Sequence, residues 1–144
     1  MSRGFETPPG RPVFALSFTP EPADIDENGH VNNVVYLRWA QEIAIAHWKS
    51  RAPADEQARW AWVVLRHEVD YRRQLFLGET ASARTWVADE ADGPRFDRFV
   101  RIDGPDGVMC AQARTVWCLV DVTTRRPRRV EPWMVEMFTR PTAS

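Results

Sequence analysis

The sequence predicts an α+β fold in which a five-stranded antiparallel sheet wraps around one long helix. First, residues 34–49 contain neither Gly nor Pro, and their apolar side chains recur at three- and four-residue steps, the period of an amphipathic helix. Second, the other apolar runs are rich in β-branched and aromatic residues, with turn signals between them. Third, a single helix with one apolar face has only the sheet to cover that face.

The chain has the length of one domain. Its 144 residues are enough to bury a sizeable core. Residues 1–12 contain several prolines and glycines and few apolar residues, which predicts a flexible leader. We expect a single domain over residues 13–138 and a short C-terminal tail over residues 139–144.

The first elements along the chain are a strand and the long helix. Residues 13–18 suit a short strand, which Pro20 ends because proline cannot donate to a central ladder. The helix over 34–49 should end before Pro53, because the residue before a proline disfavours helical backbone. Residues 54–59 are polar and are predicted to form a connection.

Strands dominate the rest of the chain. They are predicted over residues 60–71, 80–88, 95–102 and 108–120. Gly-containing turn signals separate consecutive strands, which predicts an antiparallel meander. A short helix over residues 132–138, with Pro132 in its first position, closes the domain.

The composition excludes several classes of protein. Hydrophobic residues make up 44% of the chain and charged residues 27%, so the chain as a whole is not disordered. A formal net charge of −1 favours neither nucleic acid nor an anionic membrane as a partner. No segment approaches the roughly 20 apolar residues of a membrane span, and no signal peptide is evident. Cys110 and Cys118 are expected to be buried free thiols, and we expect a cytoplasmic protein.

The stretch DIDENGHVNN, residues 24–33, carries more polar side chains than a helix start needs. One residue, Asn32 or Asn33, is enough to cap the helix. Asp24 is interpreted as a turn residue that bonds to the loop backbone. Taken alone, such a stretch is most often a turn followed by a cap. The surplus groups, Asp26 among them, are the candidates for chemistry.

Residues 26–33, followed by Tyr36, resemble the D-x-x-G-H-V-N-N-x-x-Y signature of the 4-hydroxybenzoyl-CoA thioesterase-like hotdog enzymes. They are also similar to the D-x-N-x-H-V-N-N stretch of plant acyl-ACP thioesterases. Residues 69–73 and 121–127 fit the same resemblance. It implies a hotdog fold over nearly the whole chain and an enzyme that hydrolyses an acyl-CoA, or alternatively an acyl-ACP, thioester.

The resemblance also implies roles for individual residues. Asp26 is expected to be the catalytic carboxylate, acting as general base or nucleophile, with Asn28 and His30 beside it. Backbone N–H groups at the helix start would stabilise the oxyanion, because the helix dipole favours negative charge there. The residues expected to contact the substrate are Gly29, Val31, Asn32, Asn33, Tyr36, Arg125 and Arg126. No cofactor and no metal ion is expected.

Two departures from the plant enzymes affect the expected site. Where those enzymes have a Glu-Cys pair, this chain has Gln74-Leu75, so that part of their site is absent. They also hold two hotdog units in one chain, whereas this chain holds one. We therefore expect a homodimer, or a tetramer made of two dimers, that completes each site with a partner subunit.

Some alternatives stay open at the level of the sequence. The basic loop over residues 125–129 suits the phosphates of coenzyme A, and equally a solvated turn. A hotdog module that binds acyl-CoA without catalysis would share the fold. Hotdog enoyl-CoA hydratases carry D-x-N-P-x-H, with His five residues after Asp; here His30 follows Asp26 by four, and Gly29 replaces the Pro. That spacing favours a thioesterase.

Overall fold

The computed structural model of the chain describes residues 6–140. Its elements, in chain order, are β1 (Phe14–Phe18), a short 3-10 helix (Pro22–Asp24), α1 (Asn33–Arg51), α2 (Ala54–Arg59), β2 (Trp60–Tyr71), β3 (Ala81–Val87), β4 (Arg95–Asp103), β5 (Met109–Asp121) and α3 (Pro132–Thr139). Each predicted strand and helix is present close to its predicted bounds. The predicted leader and tail lie partly outside the described residues.

Helix α2 replaces the connection predicted for residues 54–59. Pro53 occupies its N-cap position, and Asp55 and Glu56 lie in its first turn, where carboxylates favour the helix dipole. None of its residues is buried. The polar composition that suggested a loop is therefore that of a short helix with no apolar face to bury.

The five strands form one antiparallel sheet in the order β1-β3-β4-β5-β2. Strands β3, β4 and β5 follow one another as predicted, but the predicted meander is wrong between β2 and β3. Strand β2 pairs with β5 at one edge of the sheet, and β3 pairs with β1. The connection over residues 72–80 crosses from one side to the other, whereas a hairpin loop uses about two to five residues.

Helix α1 packs lengthwise on one face of the sheet, which confirms the predicted architecture. Around its N-terminal half, the buried core contains Tyr36, Trp39, Ala40, Ile43, Leu75, Ala83, Val100, Ile102, Ala111 and Ala113. Around its C-terminal half, the core contains Trp48, Trp60, Val87, Phe96, Leu119, Met134 and Phe138. The helix thus has two differently built ends, one beside the polar loop and one beside α3.

Both ends of α1 follow from the sequence. Asn32 is the N-cap, because its side-chain oxygen accepts the N–H of Val34 at 3.3 Å. Lys49 and Arg51 lie in the last turn, where cations favour the helix dipole, and Pro53 follows.

None of the helices within residues 6–140 is long and apolar enough to cross a membrane.

Both cysteines lie on β5 and are buried and free, as predicted. They are separated by eight residues of an extended strand, which is far beyond the reach of a disulfide. Burial raises the pKa of the Cys110 thiol to about 11. This thiol therefore stays protonated at neutral pH and behaves as a small apolar side chain.

Candidate active site

The loop before α1 folds around the carboxylate of Asp26. Its Oδ1 accepts the backbone N–H groups of Asn28 at 2.9 Å and His30 at 3.1 Å. The backbone closes the same turn, since Asp26 N–H donates to the carbonyl of His30 and Gly29 N–H donates to that of Asp26. Gly29 has φ +82°, a conformation that favours glycine. Asp26 is therefore held at a fixed place and orientation.

The second oxygen of this carboxylate is available for chemistry. Within the described part of the chain, Oδ2 of Asp26 has no hydrogen-bond partner. The residue is only partly buried, so a substrate or water can approach it. A carboxylate held by one oxygen and open at the other can accept a proton from water or attack a carbonyl carbon.

Asp24 has the structural role that the sequence predicted. Its carboxylate accepts the N–H of Glu21 at 2.9 Å and the Arg38 guanidinium at 3.0 Å. The Glu21 N–H and then Arg38 hold the pKa of this buried carboxyl below its usual value, against the opposing effect of burial. Its carbonyl accepts the N–H of Asn32. Asp24 thus ties the loop to α1 and has no free oxygen for catalysis.

Of the backbone N–H groups predicted to stabilise the oxyanion, only one has no acceptor within residues 6–140. The N–H groups of residues 29–32 are all used, by acceptors within the loop or, for Val31, by the carbonyl of Leu75 at 2.8 Å. Asn33 is the first residue of α1, and for its N–H the described residues offer no acceptor. This N–H carries the partial positive charge of the helix start, and an anionic oxygen can bind there.

Asn28 and His30 join the site through their backbone. Neither side chain has a hydrogen bond within residues 6–140, and the His30 ring contacts Phe76 edge-on, with the ring centroids 5.2 Å apart. The Asp-Asn-His group predicted from sequence is thus brought together, but by N–H donors rather than by side-chain contacts. Both side chains remain free to contact a ligand.

Two of the residues expected to contact substrate belong to the core. Val31 is 3% exposed and packs beneath the loop. Tyr36 is equally buried; its hydroxyl accepts the N–H of Leu75 at 3.2 Å, and burial raises its pKa to about 12. Both hold the connection from β2 to β3 against α1. A contact between the Tyr36 hydroxyl and substrate would require that bond to break.

Arg125 and Arg126 lie at the opposite end of the sheet from Asp26. They are exposed in the turn that follows Asp121, the last residue of β5. The Asp26 loop lies at the other end, where the Tyr71 hydroxyl donates to the carbonyl of the first α1 residue at 3.1 Å. Ten strand residues separate the two ends, about 30 Å. Within one chain, these arginines and Asp26 do not form a single site.

A cavity of about 270 Å³ lies between the C-terminal half of α1 and the sheet. Its wall is largely aromatic and includes Trp48, Trp60, Trp62 and Trp117. Trp48 lies on α1, Trp60 and Trp62 lie on β2, and Trp117 lies on β5. Ile45 is 46% exposed and lies at the rim.

The cavity wall also holds a buried arginine that sequence reasoning missed. Arg98 on β4 is 6% exposed, and its Nη1 donates to His47 Nδ1 at 2.9 Å and to Thr85 Oγ1 at 3.0 Å. Its guanidinium also lies 5.0 Å above the ring of Phe138. Burial lowers the pKa of Arg98 to about 9, so the side chain is still charged at neutral pH.

His47 is a core histidine whose hydrogen bond is satisfied within the protein. Burial, followed by the charges of Arg98 and Arg51, lowers its pKa to about 3. Because a guanidinium can only donate, Nδ1 of this neutral ring is the acceptor and the proton is on Nε2. The ring also stacks on Phe14, with the centroids 4.9 Å apart.

A signal for Arg98 was present in the sequence. In β4 the side chains that face α1 are those at positions 96, 98, 100 and 102, and three of them are Phe96, Val100 and Ile102. Arg98 is therefore a charged residue at an inward position of an alternating strand. The alternation of charged and apolar residues over residues 95–102 breaks at position 98, and that break is the signal.

A family model of the thioesterase-like superfamily matches residues 20–138. The chain belongs to this superfamily. The match runs from just after β1 into α3 and includes both the Asp26 loop and the cavity. No curated protein matches the chain.

Solved structures of thioesterases share the fold. A predicted thioesterase from Bacillus stearothermophilus is 25% identical, with 91% of this chain and 100% of that chain covered and a TM-score of 0.77. A thioesterase from Thermus thermophilus, complexed with coenzyme A and Zn, is 24% identical over 90% and 93%, with a TM-score of 0.77. An acyl-ACP thioesterase from Bacteroides thetaiotaomicron is 25% identical over 82% and 49%, with a TM-score of 0.72.

These comparisons confirm the hotdog fold and the class of enzyme. Membership of the thioesterase-like superfamily makes the chain a thioester hydrolase. The narrower resemblance to 4-hydroxybenzoyl-CoA thioesterases and to plant acyl-ACP thioesterases stays a prediction. Within residues 6–140, no group of three or more His, Cys, Asp or Glu residues is placed to hold a metal ion.

Proposed function

We propose that this thioester hydrolase acts on acyl-CoA, with Asp26 as its catalytic carboxylate. One observation carries the proposal: Asp26 is fixed through Oδ1 by two backbone N–H groups, while Oδ2 is open beside the start of α1. The N–H of Asn33 lies at that same helix start. A base or nucleophile and an oxyanion donor are thus offered by one short stretch of chain.

The reaction needs three things from the site. Oδ2 of Asp26 takes a proton from water as the water oxygen attacks the thioester carbon, or attacks that carbon itself to form an anhydride that water then opens. The carbonyl oxygen becomes negative, and the Asn33 N–H and the helix dipole stabilise it. The C–S bond then breaks and the thiolate leaves, which needs little assistance.

The aromatic cavity is the natural acyl site, yet in one protomer it lies far from Asp26. Ala44 and Trp48 are 11 and 15 residues beyond Asn33, about 16–22 Å along α1. A single protomer therefore offers the chemistry at one end of the helix and the acyl pocket at the other. A partner protomer resolves this separation.

The edge strand β2 supports a two-fold dimer. It is 12 residues long, within residues 6–140 it pairs only with β5, and Val63 and Leu65 on it are 47% and 49% exposed. On α1, Val34 and Ile45 are also exposed, at 63% and 46%. Pairing through β2 would bury these side chains and continue the sheet across the dimer.

Such a dimer would complete each active site. Antiparallel pairing of two β2 strands sets the Trp60 end of one beside the Tyr71 end of the other. Trp60 lines the cavity, and Tyr71 contacts the start of α1 beside the Asp26 loop. The same pairing carries the basic turn with Arg125 toward the partner's loop, where it would meet coenzyme A phosphates. The coenzyme A bound to the Thermus thermophilus neighbour is consistent with this carrier.

The test is thiol release from a panel of short, long, branched and aryl acyl-CoA thioesters. We expect turnover of at least one of them, and Asp26→Asn should lower kcat by about a hundredfold or more. Glu27→Gln is the matched control, because it removes the adjacent, exposed carboxylate. It should change kcat less than about twofold.

Two outcomes would contradict the proposal. If Asp26→Asn keeps most of the activity while Glu27→Gln does not, the carboxylate is misassigned. If the wild type binds acyl-CoA but hydrolyses none of the panel, the protein is an acyl-CoA-binding module. Circular dichroism and gel filtration of each variant confirm that fold and oligomer are unchanged.

A further inference from the structure

Arg98 differs from the other buried charged residues of this protein. Within residues 6–140, every buried carboxylate has an arginine partner: Asp24 pairs with Arg38, Asp103 with Arg84 and Arg101, and Asp121 with Arg128. Arg98 is the one buried arginine or lysine among residues 6–140, and no carboxylate of these residues pairs with it. An uncompensated buried charge is strongly unfavourable, so its presence calls for a reason.

The free edge of the Arg98 guanidinium is the edge that binds carboxylates side-on. Nη1 is used by His47 and Thr85, whereas Nε and Nη2 have no partner within the described residues. On the outer face of the sheet, Arg114 uses this same pair, Nε at 3.0 Å and Nη2 at 2.7 Å, to hold Asp97. In Arg98 the same two nitrogens form an equivalent fork of donors, but no carboxylate within residues 6–140 accepts from them.

The residues that line the cavity form the surroundings of these two free nitrogens. Arg98 lines the cavity, and Lys49 is at the rim, but none of the described residues that line it is acidic. Trp117 lines the same cavity, and its Nε1 is buried and has no acceptor in the described part of the chain. Among residues 6–140, it is the one fully buried side-chain polar atom without a hydrogen-bond partner. The cavity therefore combines an apolar wall with one cationic donor, Arg98, whose Nε and Nη2 have no acceptor among the described residues.

We propose that the cavity selects acyl groups that carry a second carboxylate at their far end, which binds to Nε and Nη2 of Arg98. This rests on the proposed function, because the other end of the acyl group must be the thioester. The substrate class is then a CoA thioester of a dicarboxylic acid. β4 lies two strands in from the β2 edge, about 10 Å, which leaves room for a short carbon chain between Arg98 and the opening.

A carboxylate fits this position better than a hydroxyl or a methyl group. A methyl group would leave both nitrogens and the charge uncompensated. A hydroxyl would accept one hydrogen bond but would not neutralise the guanidinium. A carboxylate accepts two parallel bonds and cancels the charge in a setting that water screens poorly.

The first test is binding, which does not depend on catalysis. Hexanoate and 1-hexanol have the same chain length and differ in charge, and binding of each is measured by calorimetry and by tryptophan fluorescence. In the wild type we expect hexanoate to bind roughly tenfold or more tightly than hexanol, the gain typical of a charge-assisted pair. In Arg98→Met this preference should disappear, whereas Arg114→Met, the matched control on the outer face, should keep it.

Folding is checked separately. Arg98→Met removes a buried charge but also the donor to Nδ1 of His47, so its thermal unfolding and circular dichroism are measured beside the wild type, and binding is compared at a temperature at which both are folded. Arg98→Lys is a second variant; it keeps the charge but loses the fork, and it should retain only part of the preference. Equal binding of hexanoate and hexanol by the wild type, or an unchanged preference in Arg98→Met, overturns the proposal.

The second test is specificity in turnover. The CoA monothioester of adipic acid is compared with hexanoyl-CoA, which has the same chain length and a methyl end. The wild type should have the higher kcat/KM on the adipic thioester by roughly tenfold, and Arg98→Met should reverse the order. If neither thioester, nor any other, is hydrolysed, the proposed function fails, while the hexanoate result still decides whether the cavity is an anion site.

Discussion

The two ends of helix α1 are built on opposite principles. At the N-terminal end, the polar groups of residues 24–33 are satisfied within a few residues of one another, and Oδ2 of Asp26 and the N–H of Asn33 are left over. At the C-terminal end, aromatic side chains from distant elements enclose a cavity beside which Nε and Nη2 of Arg98 lack acceptors among the described residues. Local bonds therefore position the chemistry, and long-range packing shapes what the site accepts.

This difference makes the dimer essential to the proposed mechanism. A rigid helix holds the two ends of one protomer apart, so in the proposed mechanism the carboxylate of one protomer and the cavity of its partner would form each site. A shared site of this kind has a direct genetic test, because its two halves can be inactivated in different chains.

The largest effect is expected from complementation between two inactive variants. Asp26→Asn removes the chemistry, and Ala44→Phe fills the cavity, which Ala44 lines. Co-expressed with different tags and purified through both, the mixed dimer should regain about half of the wild-type kcat, because one of its two sites has both intact halves. Each homodimer alone should have about a hundredth of the wild-type activity or less.

The matched control places both substitutions in one chain and pairs it with a wild-type chain. A site shared between protomers leaves both sites of this dimer damaged, so it should be inactive. A site contained within one protomer predicts the reverse, with about half activity in this control and none in the complementation dimer. That reversed pattern would show that the cavity and Asp26 belong to one protomer.

The same contrast explains what the sequence could predict. The helix start, with its cap at Asn32 or Asn33, and the turn role of Asp24 depend on local patterns within residues 24–49, and the structure agrees with them. The strand order was mispredicted because pairing between β2 and β5 is decided by contacts across the sheet rather than by the intervening turn. Arg98 was missed for a related reason: its significance depends on α1, β3 and α3, which meet it only in the folded chain.

At the cavity end, the next largest effect is a pH dependence of stability that comes from His47. Its pKa is about 3 in the folded chain and near 6.5 when unfolded, so between these values the unfolded state binds the extra proton. Stability from this group is therefore complete above pH 6.5 and is lost as the pH falls toward 3. The free energy of unfolding should drop by about 1–2 kcal/mol between pH 6.5 and 5.

His47→Gln isolates this contribution in urea unfolding series at both pH values. The amide oxygen can still accept from Arg98, but the side chain does not titrate. Burial also lowers the pKa of His67, which adds a loss of the same sign that remains in the variant. We expect the variant to lose clearly less stability than the wild type over this range. Equal losses would mean that His47 is not the buried neutral ring that supports Arg98.

The smallest effect is expected at Gly29, in the loop at the other end of α1. A Cβ at this position would meet nothing within 4 Å, so the penalty of Gly29→Ala comes only from the backbone, whose φ is +82°. That conformation costs an L-residue about 1 kcal/mol, and urea unfolding at constant m-value should show this loss. Gly29→Asn should lose less, because asparagine tolerates the left-handed region better. Equal losses in the two variants would show that the penalty does not come from the backbone conformation at this position.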